Sequence, residues 1–280
     1  MEKVSVIMSA YNTEKFIGRA IDSVLNQDYP EIELVIVEDK STDKTLGVIK
    51  EKMTNHPNIV LVEHKVNKGA GWSRYDGIKV ATGEYTTFLD SDDYLSKDAI
   101  STMMKAAKET GADIVSPGYT SVEEGKEDDV KIPKKQVLEG NSKFAIDPSD
   151  TLRFLNPALV RATLWNKVEY SKRRFVEDSP TLIKLLYHAN KRAVIDYAGY
   201  HYYQNSNSLT HTSSDFRTHL YSVLCTLDTV DVFGPETSLY VAISRILDVA
   251  KHDKRDNNYK EEIDEIANKT SDLIKTILYE

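Results

Sequence analysis

Short apolar runs alternate with amphipathic segments along the first 118 residues. The runs are rich in β-branched residues, and the segments between them repeat apolar residues at helical spacing. The runs are 4–8, 32–37, 58–64, 84–90 and 112–117, and the segments are 16–25, 43–53, 70–81 and 99–107. Strands that alternate with helices are typical of βαβ units, so the pattern predicts an α/β fold with a mainly parallel sheet flanked by helices.

The pattern changes after residue 118. The charged stretch 121–135 predicts an exposed hairpin or loop, 150–190 predicts helical structure, and 192–204 predicts one or two strands. Apolar residues from Phe216 onward have the spacing of three further helices. The chain is therefore predicted to carry a helical extension after its sheet.

Composition narrows the class of protein. The 280 residues are 40% hydrophobic and 29% charged, as in a globular protein, and the net charge of −8 argues against a general nucleic-acid binder. The single cysteine, Cys225, excludes an internal disulfide and is predicted to be a buried structural thiol. The N-terminal "MEKVSVIMSAYN" lacks a signal-peptide pattern, and no run approaches the roughly 18 apolar residues of a membrane span. We expect a cytoplasmic protein with no nucleic-acid partner.

Polar residues follow each of the first four predicted strands. The stretches that contain them are Ala10–Tyr11–Asn12, Glu38–Asp39, Asn67–Lys68–Gly69 and Asp90–Ser91–Asp92. Ligands of open parallel sheets bind outside the carboxyl ends of the strands, where these residues meet. The sequence therefore predicts one site built from four strand ends.

The acidic residues indicate what such a site binds. No G-x-G-x-x-G follows the first strand and no P-loop motif exists, so neither standard phosphate cradle is supported. Carboxylates such as those of Asp90 and Asp92 suit Mg²⁺ or Mn²⁺, which take phosphate oxygens as further ligands. The alternative is a turn that caps the next helix. Asp39, at a strand tip, is placed to accept a hydrogen bond from a base N–H.

Four segments, in order and spacing, resemble the family 2 glycosyltransferases, which have the GT-A fold. They are "VSVIMSAYN", "ELVIVEDKSTDKT", "NKGAGWSRYDGIKVATGEYTTFLDSDD" and "LWNK…FVEDSPTLIKLLY", and the resemblance covers about residues 1–210. It implies a nucleotide-sugar donor, usually a UDP-sugar, an Mn²⁺ or Mg²⁺ cofactor, and a glycan or lipid-linked acceptor.

The resemblance also implies roles for individual residues. It puts Asp92 and Asp90 at the metal, and Glu177 and Asp178 in the catalytic motif, while Asp93 only orients its neighbours. The residues implied at the nucleotide-sugar are Ala10, Tyr11, Asn12, Asp39, Asn67, Arg74, Asp90 and Ser91.

Asp178 is the implied catalytic base of an inverting reaction. Ser179 and Pro180 follow it and predict the first turn of a helix. The helix dipole would favour the ionised carboxylate there, ready to accept a proton. The alternative is that Asp178 or Ser179 merely caps the helix.

Two positions depart from the family pattern. Lys40 stands where a glycine is frequent, so we expect its turn to avoid positive φ. Gln204 stands where an arginine near the diphosphate is common, which leaves Gln204, His201, His211 or the metal alone to meet the diphosphate.

Acceptor contacts are predicted before the catalytic motif. Trp165 and Lys167 match the family segment, although a tryptophan at helical spacing is often a core residue. The basic stretch 172–174 is either a contact for an anionic or lipid-phosphate acceptor or a solvated patch.

The sequence thus predicts a metal-dependent inverting glycosyltransferase of three parts. Residues 1–118 form the nucleotide-sugar-binding half and 119–212 the acceptor and catalytic-base half of one GT-A domain, and 213–280 form the helical extension. The extension is predicted to pack on the domain or to form a homodimer, with at most peripheral contact at the inner membrane face.

Two other classes of function stay open. A sugar-phosphate nucleotidyltransferase would need a glycine-rich basic loop after the first strand, where this chain has "SAYNTEKF". A non-catalytic nucleotide-sugar-binding module would not need both acidic motifs.

Overall fold

The computed structural model describes residues 1–123, 126–140, 155–173 and 177–204, and short stretches at 223–224, 227–234, 264–266 and 268–272. The chain divides into two units, Met1–Gln204 and Asn205–Glu280.

The first unit alternates strands and helices in its N-terminal half. The strands described are β1 Val4–Ala10, β2 Ile32–Glu38, β3 Ile59–Glu63, β4 Tyr85–Asp90, β5 Tyr94–Leu95, β6 Ile114–Ser116, β7 Tyr119–Glu123, β8 Lys126–Lys131, β9 Gln136–Glu139, β10 Leu159–Arg161, β11 Lys191–Val194 and β12 Tyr200–Tyr203. The helices described in this unit are α1 Ile17–Leu25, α2 Thr45–Met53, α3 Ala70–Val80, α4 Ala99–Thr110 and α5 Asp178–His188, with a 3-10 helix at Ala162–Asn166.

The main sheet has the strand order β3-β2-β1-β4-β10-β6-β11-β9, and a smaller sheet has the order β5-β12-β7-β8. Strands β3, β2, β1 and β4 run parallel, so their carboxyl ends lie at one edge. The predicted α/β fold with a mainly parallel sheet is confirmed.

The core lies on both faces of the central strands. Along β1, Val6 and Met8 pack with α1 and α4 on one face, whereas Ile7 packs with Phe88 and α5 on the other. Successive strand residues point to opposite faces, so strands covered by helices on both sides are apolar throughout. This is why the strands appear in the sequence as unbroken apolar runs.

The prediction that 150–190 is helical was wrong in part. Within this range, Leu159–Arg161 forms β10, which pairs antiparallel with β4 and β6, and the longer helix is α5. A strand of three residues is too short to give a periodic signal, so its sheet partners decide its structure. The hairpin of β7 and β8 and the two strands β11 and β12 agree with their predictions.

The second unit contains a short helix, α6, at Val230–Phe233 and an ion pair between Lys269 and Asp228. Most of the three helices predicted from Phe216 onward, with Cys225 and His211, lies outside the described residues. In the part of the chain that the structure describes, no helix is both long and apolar enough to cross a membrane.

Candidate active site

Asn12 follows β1 and ties it to the loop after β2. Its N–H donates to Ser41 Oγ at 3.1 Å, and its Oδ1 accepts from the Thr42 N–H at 2.8 Å. Its φ of 53° is left-handed, which asparagine tolerates. Ala10 is buried at the end of β1, whereas Tyr11 is 45% exposed. The Tyr11 ring is therefore accessible at this strand end, while the Asn12 amide shapes the loop.

The turn after β2 contradicts the expectation that Lys40 avoids positive φ, because its φ is 63°. The buried Glu38 carboxylate accepts from the Lys40 N–H at 3.2 Å and from the Ser41 N–H at 2.6 Å. These bonds offset the cost of the left-handed conformation.

Asp39 organises the loop that leads into α3. Its Oδ1 accepts from the Lys68 N–H at 2.8 Å, its Oδ2 accepts from the Gly69 N–H at 2.7 Å, and its backbone oxygen accepts from Asn67 Nδ2 at 3.1 Å. Gly69 has φ 90°, a conformation that favours glycine. Asp39 is only 3% exposed. Its carboxylate is thus occupied largely by the loop that borders the predicted nucleotide pocket.

His64 lies between two carboxylates beside this loop. Its Nδ1 is 2.7 Å from Asp39 Oδ1 and its Nε2 is 2.9 Å from Asp76 Oδ2. The imidazole therefore connects the end of β2 to the exposed side of α3.

Arg74 of α3 joins the two acidic motifs. Its Nη2 donates to Asp90 Oδ1 at 2.5 Å, and its Nη1 donates to Glu177 Oε1. Burial opposes the charge of Arg74, but Tyr170, Asp90 and Glu177 around it raise its pKa well above the usual value. The guanidinium is therefore a permanent cation between the end of β4 and the start of α5.

Asp92 combines partial burial with a neighbouring charge. Burial, and then the charge of Asp90, raise the pKa of Asp92 to about 6. Arg19 Nη2 of α1 donates to the backbone oxygen of Asp92 at 2.6 Å, and Ser91 is buried. A cation beside Asp90 and Asp92 would relieve their repulsion.

Asp93 turns away from this pair. Its oxygens accept from the Tyr200 O–H and from the Tyr203 N–H, the latter at 2.8 Å. Burial, then Asp92 and Asp90, raise its pKa well above the usual value. Asp93 thus holds the acidic loop to β12, in keeping with the supporting role expected from the sequence.

Asp178 begins α5, and Pro180 lies in its first turn as predicted. Burial raises the pKa of Asp178, although Arg74 and the Ser179 N–H lower it. The sequence leads us to expect that the helix dipole favours the ionised carboxylate. Burial acts in the opposite direction, and the net shift of the pKa is upward. Burial also raises the pKa of Glu177, to about 7. A raised pKa makes Asp178 a stronger proton acceptor.

The two candidates for the diphosphate on β12 and after it contact the small sheet. His201 stacks on Tyr94 with ring centroids 4.4 Å apart, and its Nε2 is 2.8 Å from Ser96 Oγ. Gln204 Nε2 donates to Ser121 Oγ at 2.6 Å. Both side chains therefore have structural partners, and their diphosphate role stays a prediction.

Trp165 is partly buried and packs against the core cluster that contains Ile7 and Phe88. Its Nε1 donates to Thr86 Oγ1 at 2.9 Å, and its ring meets Phe88 edge-on at 6.0 Å. Lys167 is exposed. Trp165 is thus partly a packing residue, and the acceptor role of both stays a prediction.

No group of three or more acidic, histidine or cysteine side chains with the arrangement of a metal site occurs among the described residues. Asp90 and Asp92 still fit a divalent cation that takes phosphate oxygens and waters as its other ligands. The observation in favour is the place of Asp92: burial and then the charge of Asp90 disfavour its ionised form and raise its pKa, and a bound cation would offset both effects.

Arg19, His64 and Tyr200 were not singled out from the sequence. Each acts through a neighbour that was: Asp92, Asp39 or Asp93. No local sequence signal identifies them, because their partners are brought close by the fold.

Comparison with known proteins identifies the family and the fold. The family model for glycosyl transferase family 2 matches residues 5–169. The glycosyltransferase GlyG of Streptococcus pneumoniae is 31% identical over 226 residues, which are 76% of this chain and 75% of GlyG.

Staphylococcus aureus TarS, a poly(ribitol-phosphate) β-N-acetylglucosaminyltransferase, is 30% identical over 223 residues, which are 77% of this chain and 38% of TarS. The structure of TarS residues 1–349 with UDP-GlcNAc has a TM-score of 0.72 at 25% identity and covers 98% of this chain and 81% of that one. A mannosyltransferase of Pyrobaculum calidifontis with GDP-Man and Mn²⁺ has a TM-score of 0.59 at 16% identity, covers 99% and 87%, and shares the fold. Because the match covers 38% of TarS, this chain spans well under half the length of the full protein.

Proposed function

The chain belongs to glycosyl transferase family 2, and from this premise we propose that it transfers a sugar from a UDP-sugar to a hydroxyl group of a glycan or lipid-linked acceptor, with inversion. The structure of TarS with UDP-GlcNAc supports the choice of donor.

The observation that carries the proposal is the bridge through Arg74. Its guanidinium contacts Asp90, from the implied metal motif, and Glu177, next to the implied base. The leaving diphosphate and the attacking acceptor hydroxyl act on the same anomeric carbon, so the residues that serve them must lie close together. Arg74 contacts one residue of each motif, Asp90 and Glu177.

On the donor side, we assign the nucleotide to the strand ends around Tyr11, Asn12 and the loop held by Asp39. Ala10, Asn67 and Ser91 complete this pocket in the proposal. Asp92, with Asp90, would hold Mn²⁺ or Mg²⁺. Such an ion, when bound, supplies positive charge to the leaving diphosphate.

On the acceptor side, Asp178 takes the proton of the attacking hydroxyl. The acceptor oxygen forms its bond to the anomeric carbon from the face opposite the diphosphate, which leaves with the electron pair of the broken C–O bond. One displacement inverts the anomeric centre. The raised pKa of Asp178 suits it to hold the proton at the end of the step.

The division of labour along the chain is part of the proposal. Residues 1–118 would bind the donor, 119–212 would bind the acceptor and carry the base, and 213–280 would extend the domain and provide contacts for a homodimer or a membrane surface.

The direct test is Asp178→Asn. We expect it to bind the UDP-sugar as the parent does, while transfer falls by about two to four orders of magnitude. Asp196→Asn, at an exposed site, is the matched control. Transfer near the parent rate in Asp178→Asn would remove Asp178 from the mechanism. Release of pyrophosphate from a mixture of UTP and a sugar 1-phosphate, with no release of UDP from a UDP-sugar, would favour a nucleotidyltransferase.

A second test addresses the cation. Asp92→Ala should lose the Mn²⁺-dependent part of UDP-sugar binding, measured by calorimetry with and without the metal. Equal donor affinity with added Mn²⁺ in Asp92→Ala and the parent would overturn the assignment of Asp92.

A further inference from the structure

Four residues form a stripe along one side of α3 and the turn before it. They are Lys68, Trp72, Tyr75 and Lys79, here called the α3 ridge. Their spacing of three and four puts Trp72, Tyr75 and Lys79 on one face of α3, and Lys68, in the turn before the helix, lies beside the Trp72 ring. Lys68, Trp72 and Lys79 are exposed, with Trp72 at 37%. The ridge is a surface feature to which the proposed function assigns no role.

The ridge holds ammonium groups against aromatic rings. Lys68 Nζ is 5.6 Å from the Trp72 ring centroid, and Lys79 Nζ is 5.2 Å from that of Tyr75. Lys172 lies 4.9 Å from the Trp72 centroid and 4.1 Å from the Tyr75 centroid, measured from its Nζ. Cation–π contacts of this kind restrict where the charges lie.

Positive charge exceeds negative charge here. The carboxylates paired with these lysines are Asp76, 2.9 Å from Lys68, and Glu169, 2.5 Å from Lys172. Lys79 and the exposed Lys167 add two further cations to the same region. In a chain of net charge −8, this surplus is a local reversal of sign.

A pocket of about 260 Å³ continues from the ridge. Tyr75 and Trp165 contribute aromatic walls, and Lys79, Lys167 and Glu169 contribute polar groups. This is smaller than the pockets that bury drug-sized ligands, so it suits a single unit of a longer chain.

The ridge is coupled to the candidate active site through α3. Tyr75 follows Arg74, which contacts Asp90 and Glu177. Gly71 packs directly on the backbone of residues 171–173, since an added Cβ would lie 2.2 Å from the Arg173 oxygen. A ligand on the ridge therefore lies on the helix that carries Arg74 and beside residues 171–173.

We propose that the α3 ridge and its pocket bind an anionic acceptor polymer, a chain of polyol or sugar units joined by phosphodiesters. The lysines would meet the phosphates as point charges, and the aromatic walls would pack on the C–H faces of one unit. A neutral glycan could accept hydrogen bonds from the lysines but would gain no charge attraction. This inference names the acceptor class of the proposed transferase and rests on that function.

The test measures binding without a donor. A fluorescent ribitol-phosphate oligomer and a neutral dextran oligomer of similar length are titrated with the protein at several salt concentrations. We expect the parent to prefer the phosphate oligomer, with an affinity that falls as salt rises. Lys68→Ala/Lys79→Ala should bind it about tenfold more weakly, because two exposed charge contacts are lost.

The control variant Lys105→Ala/Lys108→Ala removes the same charge from α4, which packs on the face of the sheet that carries Val6 and Met8. It should bind the oligomer as the parent does. Trp72→Ala should also weaken binding, and thermal melts check that each variant is folded. Unchanged affinity in the ridge variants, or equal affinity for dextran, would overturn the proposal. The proposal would also be wrong if the parent bound phosphatidylglycerol vesicles but not the oligomer, and the ridge variants lost the vesicle binding. The ridge would then contact a membrane surface.

This assay separates the two proposals. If oligomer binding depends on the ridge and Asp178→Asn still transfers at the parent rate, the proposed mechanism is wrong and the proposal for the ridge stands. If transfer depends on Asp178 and the ridge variants bind the oligomer as the parent does, the proposal for the ridge is wrong and the mechanism stands.

Discussion

Arg74 contacts carboxylates that lie 16 and 103 positions away along the chain. Replacing Arg74 should therefore show how much stability these carboxylates cost when they have no cation beside them. Arg74→Leu leaves the buried Glu177 without its cation, which we expect to cost roughly 3–5 kcal/mol in the free energy of unfolding. Urea unfolding at pH 7 measures this.

The double variant Arg74→Leu/Glu177→Leu is the informative control. Replacing a whole buried pair by apolar residues is often neutral, so the double variant should be more stable than Arg74→Leu alone. Equal losses in both variants would mean that leaving Glu177 without its cation costs little.

Arg19 supports the acidic loop from α1. Its guanidinium lies 4.5 Å and 4.8 Å from the ring centroids of Tyr94 and Tyr203 while it donates to the Asp92 backbone. Arg19→Ala should raise the Mn²⁺ concentration needed for half-maximal UDP-sugar binding by about tenfold, because the loop loses a charge-assisted bond.

The matched control for Arg19 is Arg161→Ala. Arg161 also lies over a ring, that of Tyr85, and pairs with Asp113, but it does not contact the acidic loop. We expect it to change stability and leave metal dependence as in the parent. The same metal titration curve in Arg19→Ala and the parent would show that Arg19 does not position Asp92.

The residues that the sequence identified are those that follow strands. Asp90 and Asp92 could be found because a buried run ends in them, and parallel strands end together. The bonds from Arg19 to Asp92 and from Arg74 to Glu177 could not, because they depend on how α1 and α3 pack. The upward direction of the Asp178 pKa could not be predicted for the same reason, since burial is a property of the packed chain.

At the scale of elements, the first turn of α3 depends on Gly71. A Cβ there would lie 2.2 Å from the Arg173 oxygen and 2.6 Å from the Ser171 oxygen. Gly71→Ala should therefore push the segment 171–173 away from α3 and lower both stability and transfer. A thermal melt and a transfer assay on the same sample measure the two effects.

Gly47 of α2 provides the opposite case. Nothing lies within 4 Å of a Cβ added there. Gly47→Ala should stabilise the protein by about 0.5–1 kcal/mol, because alanine loses less entropy than glycine in a helix. Loss of stability in both variants would indicate that the close contact at Gly71 is not the cause.

At the scale of the whole molecule, the fold class followed from alternation over more than 100 residues, which no single short element could disturb. The strand β10 was missed because three residues carry no periodicity and owe their conformation to β4 and β6. The predicted extension after residue 212 stays a prediction, because most of it lies outside the described residues.

The raised pKa of Glu177 predicts how global stability depends on pH. The folded value is about 7, against a usual value of 4.5. Between these values the folded state binds more protons than the unfolded state, so the free energy of unfolding falls as pH rises through this window. Asp92, whose pKa is raised to about 6, acts in the same direction.

Glu177→Gln removes one of these titrations, so the free energy of unfolding should fall less steeply between pH 5 and pH 7, by up to about 1.4 kcal/mol per pH unit. Urea unfolding in metal-free buffer at about half-unit steps of pH measures the slope. Glu169→Gln, at an exposed position, should keep the slope of the parent. A slope in Glu177→Gln as steep as that of the parent would mean that Glu177 is already ionised in the folded protein, held so by Arg74.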